Sequence, residues 1–165
     1  MSCKKSCDKN CNCQCIPISG PVGPTGPVGQ GTNVSAYVYN LSFQIIFNDT
    51  PFVFDTVGQL SNITLASSNI TFLLGGVYSV IFYIQTGTES NNEFSLYVNG
   101  VRVGPTYAVF YVSPLPNTGY NILNINAGDV LTLVNTAGIL NAAGDSLDGD
   151  GNPITNASLL ITKLV

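Results

Sequence analysis

Residues 32–165 hold short runs rich in Val, Ile, Phe, Tyr and Thr, separated by Gly, Pro, Asn and Asp. Such runs, with side chains alternating between two faces, signal β-strands. Apolar residues at helical spacing do not recur anywhere in the chain. The pattern predicts strands at 34–40, 43–47, 52–56, 62–66, 69–74, 77–86, 93–98, 101–103, 106–113, 120–126, 129–136 and 157–164. Asn99-Gly100, between FSLYV and VRV, predicts a tight hairpin, because both residues accept the positive φ of a type I′ turn. The run VYSVIFYIQT at 77–86 is apolar on both faces in its middle. That is expected of a central strand with the core on one side and a neighbour on the other. Many short strands at this spacing point to a sandwich or jelly roll.

The first 31 residues break this pattern, so the chain divides into three segments: 1–15, 16–31 and 32–165. Residues 1–15 contain all five cysteines, Cys3, Cys7, Cys11, Cys13 and Cys15. Residues 16–31 read IPISGPVGPTGPVGQG, with Gly20, Gly23, Gly26 and Gly29 in strict Gly-X-Y register. Only Gly fits the crowded axis of three polyproline-like chains, which sets the period of three. At about 3 Å per residue the four triplets span roughly 35 Å. Alone they are too short to hold a triple helix; tied to a trimeric head they could. The alternative is a semi-rigid Pro/Gly linker.

Composition narrows the function classes. Apolar residues make up 45% of the chain, enough for a core, whereas charged residues make up 8%, against about 25% in an average domain. Few charges keep copies apart, which suits self-association. Three lysines against Asp8 give residues 1–31 a net +2; Arg102 and Lys163 against eight acids give the rest −6, for a total of −4. No basic stripe marks a nucleic-acid surface. The longest nearly apolar stretch, Phe72–Ile84, is too short for a bilayer helix and is interrupted by Gly75, Gly76 and Ser79. The start, MSCKKSCDKNCNCQC, has no apolar run behind its lysines, so the chain is expected to be made without a secretory signal peptide. There is no His, which removes the commonest general base and metal ligand.

Several candidate sites follow. The C-x-C spacings are read as presenting thiols to opposite sides of an extended chain, suited to bridges between neighbours. An odd number of cysteines leaves at least one for an intermolecular bond. All five are therefore candidates for intermolecular disulfides, formed in an oxidising exterior. Thiolate-only metal binding and a reduced tail are the alternatives; no C-x-x-C pair completes a zinc site. The loop 145–153 offers Asp145, Asp148, Asp150 and Asn152, and its D-x-D-x-N alternation resembles the first half of a calcium loop, but Pro153 replaces the turn Gly and no Glu follows at the twelfth place. A solvated loop is the plainer reading. The sequons at Asn33, Asn40, Asn48, Asn62, Asn69 and Asn156 are expected by chance in so Asn-, Ser- and Thr-rich a chain. Glu89 and Glu93 flank a polar turn without a catalytic partner, and no nucleophile elbow occurs. No catalytic residue and no cofactor is expected.

Three stretches carry a resemblance. ITFLLGGVYSVIFYI at 70–84, NINAGDVLTLVN at 124–135 and ASLLITKLV at 157–165 resemble the signatures of tumour-necrosis-factor-like and complement-type jelly rolls. A collagen-like stretch ahead of such a head resembles the BclA-type collagen-like proteins of the exosporium, the outermost layer of bacterial spores. The resemblance implies an all-β, homotrimeric jelly roll on a collagen-like segment and a Cys-rich arm. It also makes Thr25, in the third position of its triplet, a candidate O-glycosylation site, with a bare Thr the plainer reading. The collagen-like part is much shorter than a long stalk, and the Cys-rich arm looks more like that of fibre-forming endospore appendage subunits. The expected function is a pilus-like structural subunit, with stacked homotrimers joined by N-terminal arms and disulfides. Its expected partners are itself, an exosporium anchor protein and a tip protein, with no nucleic acid and no membrane. The alternative is an adhesin or glycan-binding tip, with recognition in loops 87–92, 114–119 and 138–153. The absence of Trp weighs against a carbohydrate platform.

Overall fold

The computed structural model describes residues 3–7, 13–17, 34–85, 92–109, 116–136, 141–143, 150–152 and 154–165. It comprises two units, Met1–Gly31 and Thr32–Val165. The collagen-like glycines Gly20, Gly23, Gly26 and Gly29, with Thr25, lie outside the described residues, as do Cys11, Glu89, Asp145 and Asp148.

In the first unit, β1 (Cys3–Cys7) pairs antiparallel with β2 (Cys13–Pro17). Cys13 and Cys15 both belong to β2. In a strand, residues two apart share a face, so the expected presentation of C-x-C thiols to opposite sides is corrected: these two positions fall on the same side.

Among the described residues the second unit has thirteen strands: β3 (Ser35–Asn40), β4 (Gln44–Ile46), β5 (Thr50–Pro51), β6 (Thr56–Ser61), β7 (Ile63–Ala66), β8 (Asn69–Phe72), β9 (Gly76–Gln85), β10 (Asn92–Val98), β11 (Val101–Val109), β12 (Pro116–Ile125), β13 (Val130–Asn135), β14 (Asn141–Ala143) and β15 (Ala157–Lys163). No helix occurs among the described residues. One antiparallel sheet runs β12-β9-β15-β3-β6; the other runs β11-β10-β13-β8-β7, with β5 added to β13. β14 and β4 form a small separate ribbon.

The core lies between the two main sheets and draws on both. β9 shows how: Tyr78, Val80, Phe82 and Ile84 are buried, while Ser79, Ile81 and Tyr83 alternate with them on the other face. Across the core, Phe94, Leu96, Leu131 and Leu133 are also fully buried. Aromatic edges meet faces, with ring centroids 5.5 Å apart for Phe52 and Phe94 and 4.7 Å for Phe72 and Tyr78. This is the favoured geometry for aromatic pairs. Gly119 of β12 sits directly opposite Phe82, and a Cβ there would meet the Phe82 ring at 2.1 Å. The strand carries Gly because the ring occupies the space of a side chain.

Several predicted boundaries shift. The alternation at 52–56 is real, since Phe52 and Phe54 are buried and Val53 and Asp55 exposed. Yet 52–55 is not a strand: the Phe52 amide donates to Leu133 O and the Phe54 amide to Ser67 O. The strand that follows, TVGQLS in β6, lacks alternation, and β14 is only three residues long; neither is predicted. β11 runs from Val101 to Val109, but at the predicted gap of 104–105 its register with β10 shifts between Phe94 and Leu96 and Gly104 takes a φ of 72°. The Asn99-Gly100 hairpin forms as expected, with φ of 51° and 78°.

Candidate functional site

The outward face of the five-stranded sheet carries a broad uncharged surface. Register places its residues in rows that cross all five strands. The middle row runs Tyr120, Ile81, Leu160, Tyr37 and Gln59. On one side of it lie Thr118, Tyr83, Ser158, Tyr39 and Thr56; on the other lie Ile122, Ser79, Thr162, Ser35 and Ser61. None of these residues is charged. Tyr37 and Tyr39 stack with centroids 5.3 Å apart. Ile81 is 37% exposed, Leu160 42%, Tyr120 52% and Ile122 55%. The second apolar face expected for the central strand is therefore present, and its apolar side chains stay about a third to a half exposed. Exposed apolar surface organised in this way marks an association site.

Sequence reasoning reaches this surface only in part. The double-sided apolar run at 77–86 signals it on β9. Tyr120, Leu160 and Tyr37 join it only once three antiparallel registers are known, which periodicity within one strand does not supply.

Among the described residues, Asp55, Asp129 and Tyr78 are ionisable groups held by hydrogen bonds to loops and turns. Burial opposes ionisation of Asp55, but hydrogen bonds from Ser42, Thr56 and Leu41 outweigh it and hold the carboxyl below its usual range; the Leu41 amide donates at 3.3 Å and the Thr56 hydroxyl at 2.8 Å. Asp129 links the β10–β11 hairpin turn to the turn between β12 and β13. The Asn126 amide donates to it at 2.7 Å and Asn99 Nδ2 at 2.8 Å, and these bonds lower its pKa. Asn99 Oδ1 in turn accepts from the Val130 amide at 2.9 Å. Burial raises the Tyr78 phenol above its ordinary value, and its hydroxyl donates to Leu74 O at 2.6 Å. Each arrangement fixes a loop or turn.

The other predicted sites separate. Cys3, Cys7, Cys13 and Cys15 fall on the β1–β2 ribbon. Asp150 and Asn152 are exposed, while the rest of that acidic loop candidate lies outside the described residues. No three His, Cys, Asp or Glu gather as a metal-holding group among the described residues. Of the sequons, Asn40 and Asn156 are buried at 2% and 3% exposure, a placement closed to a glycan, whereas Asn48, Asn62 and Asn69 are exposed. The Asn156 side chain instead ties two segments together, its Nδ2 donating to Ser42 O at 2.7 Å. Glu93 is half-buried on β10.

Neither a protein-family model nor a curated protein sequence matches the chain. Solved structures do match. The globular domain of zebrafish complement 1qA aligns over 81% of this chain and 98% of its own, with a TM-score of 0.60 and 14% identity. Eiger TNF from S. frugiperda aligns over 80% and 92%, with a TM-score of 0.63 and 19% identity. Murine APRIL aligns over 78% and 97%, with a TM-score of 0.56 and 10% identity. The fold is the TNF/C1q jelly roll. Identities this low show the fold alone. Within that jelly roll, β9 and the terminal strand β15 lie side by side at the centre of the uncharged sheet, with β3 and β12 flanking them. The face is thus assembled from both ends of the Thr32–Val165 unit and from its middle.

Proposed function

We propose that this protein is a non-enzymatic structural subunit that self-associates as a homotrimer through the outward face of the five-stranded sheet, and that such trimers, joined through their Cys-rich arms, build a fibre on the surface of a bacterial spore. The observation that carries the self-association is the uncharged band Tyr120-Ile81-Leu160-Tyr37 across four adjacent strands. Its side chains remain between about a third and a half exposed in the single chain, and an identical copy offers the same uncharged surface without unpaired charges to desolvate. Fully burying one large aliphatic side chain contributes about 1.5–3 kcal/mol, so a band repeated in each of three chains offers a sizeable driving force.

The fibre and its location rest on the resemblance of the Gly-X-Y segment and head to spore-surface proteins, and on five cysteines concentrated before residue 16. An exosporium anchor protein and a tip protein are the further partners proposed. Negative-stain electron microscopy of the purified full chain, with and without reductant, tests this. Regular filaments that weaken on reduction support it. Isolated trimers that neither polymerise nor respond to reductant would refute the fibre, and folded monomers would refute the trimer.

A further inference from the structure

Four of the five cysteines lie on the β1–β2 ribbon, whose register is Cys3–Pro17, Lys4–Ile16, Lys5–Cys15, Ser6–Gln14 and Cys7–Cys13. Only at the last of these positions do two cysteines stand opposite each other. Cys3 has Pro17 as its partner and Cys15 has Lys5. Directly opposed residues of an antiparallel pair have Cα atoms about 4.5 or 5.5 Å apart, according to whether the pair is hydrogen-bonded. Both values fit the roughly 4.4–6.8 Å that a disulfide spans. Cys3 and Cys15 are diagonal neighbours, at about 7–8 Å, beyond that span. Cys13 and Cys15 are two residues apart on one strand, about 6.6–6.8 Å at 3.3–3.4 Å per residue, at the far limit of what a disulfide spans.

We propose that Cys7 and Cys13 form an intrachain disulfide across the ribbon, and that Cys3, Cys11 and Cys15 are the thiols left for bonds between chains. By alternation, Cys3, Lys5 and Cys7 of β1 share a face with Cys13 and Cys15 of β2. A slip of one residue in register would move one strand's set to the opposite face. A covalent tie between Cys7 and Cys13 pins that register, and with it the common face of Cys3 and Cys15. One pair of cysteines then shapes the arm, and the other three link it.

The oxidant is a low-molecular-weight disulfide such as oxidised glutathione. A Cys7 thiolate attacks one of its sulfurs, forming a mixed disulfide and expelling one small thiolate. The Cys13 thiolate then attacks the Cys7 sulfur, the Cys7–Cys13 bond forms, and the second small thiolate leaves. Two cysteine thiols lose two protons and two electrons; one small disulfide gains them as two thiols. Exchange of this kind needs no metal or enzyme.

The inference goes beyond the assembly reading, because the bond would form equally in a monomer. The test uses the full chain, as an equal mixture of 15N-labelled and unlabelled protein, equilibrated in a glutathione redox buffer. It is then acid-quenched, alkylated and digested without reduction for mass spectrometry. Cys7 should be linked to Cys13 in fragments that are wholly light or wholly heavy. In Cys3→Ser/Cys11→Ser/Cys15→Ser the chain should lose two hydrogens and resist alkylation; adding Cys13→Ser should return Cys7 to full alkylation. Light–heavy hybrids at Cys7–Cys13, links from Cys7 to Cys3, Cys11 or Cys15 in the wild type, or two alkylated thiols in the triple variant under the same buffer would each overturn the proposal. A failure of trimer or fibre formation would change the assembly mass and leave this linkage pattern untouched.

Discussion

Replacing Gly119 with Ala should destabilise the head, although the same change in most strands does the opposite. At an ordinary strand position Ala is favoured over Gly by about 0.5–1 kcal/mol, because Gly loses more backbone freedom on folding. At Gly119 the new methyl would sit 2.1 Å from Phe82 Cζ and 2.2 Å from Cε1, well inside the 3.5–4.0 Å or so of a normal carbon contact. Phe82 is fully buried and cannot swing into solvent, so the ring must move by more than an ångström against the rest of the core. Overpacking of this kind costs about 1–3 kcal/mol. Phe82→Ala alone should cost about 3–5 kcal/mol. The double variant should cost less than the sum of the two, because the methyl then occupies space the ring has vacated. Urea unfolding of the full chain at one fixed protein concentration gives all three values. A Gly119→Ala chain as stable as wild type, or costs that add without coupling, would refute the packing argument.

Other parts of the structure give their own expectations. Asp129 has a lowered folded-state pKa from its bonds with Asn126 and Asn99, so its stabilising contribution is complete above the unfolded value, near 3.9, and is lost as pH falls through the folded value. Asp129→Asn should therefore flatten the acid limb of a stability profile between about pH 2 and 5; an unchanged limb in a urea-midpoint series would count against the link. Asn135 is fully buried and its Nδ2 donates to Ile46 O at 3.1 Å and Phe47 O at 3.3 Å. Asn135→Ala should cost about 1–3 kcal/mol through the two hydrogen bonds it removes, at about 0.5–1.5 kcal/mol each, read by chemical denaturation. At Gly76, a Cβ would meet Val165 O at 2.3 Å and the Lys163 side chain at 2.2 Å. Gly76→Ala should thus lower stability by about 1–3 kcal/mol, visible as a reduced urea midpoint.

Much of the jelly roll is legible in the sequence, because alternation and turn chemistry are local. β9 and β15 carry clean inward–outward patterns, and Asn99-Gly100 states its own backbone conformation. The misreadings arise where non-local contacts decide. Phe52 and Phe54 alternate like a strand because the core takes both rings, yet their amides are satisfied by Leu133 and Ser67 from other segments. β6 shows no alternation because it is an edge strand held by β3 on one side only. There Gly58 packs beneath the Tyr37 ring, with a would-be Cβ 2.6 Å from Cδ1, and a glycine has no hydropathy to read. The candidate site is less legible than the fold. Tyr120, Ile81, Leu160 and Tyr37 lie in four separate runs, and only register makes them one band. The cysteines are legible as a cluster, but which of them oppose each other follows from the pairing of β1 with β2.

Joining of copies through the uncharged sheet face can be measured by analytical ultracentrifugation of the full chain at micromolar concentration, with reductant present so that no disulfide contributes. The wild type should sediment as a particle of three times 17.4 kDa. Leu160→Arg, at the middle of the band, should give a folded monomer, while Val101→Asp, 66% exposed on the other sheet, should leave the trimer intact. A folded wild-type monomer, or a trimer indifferent to Leu160→Arg, would contradict a role for this face in assembly.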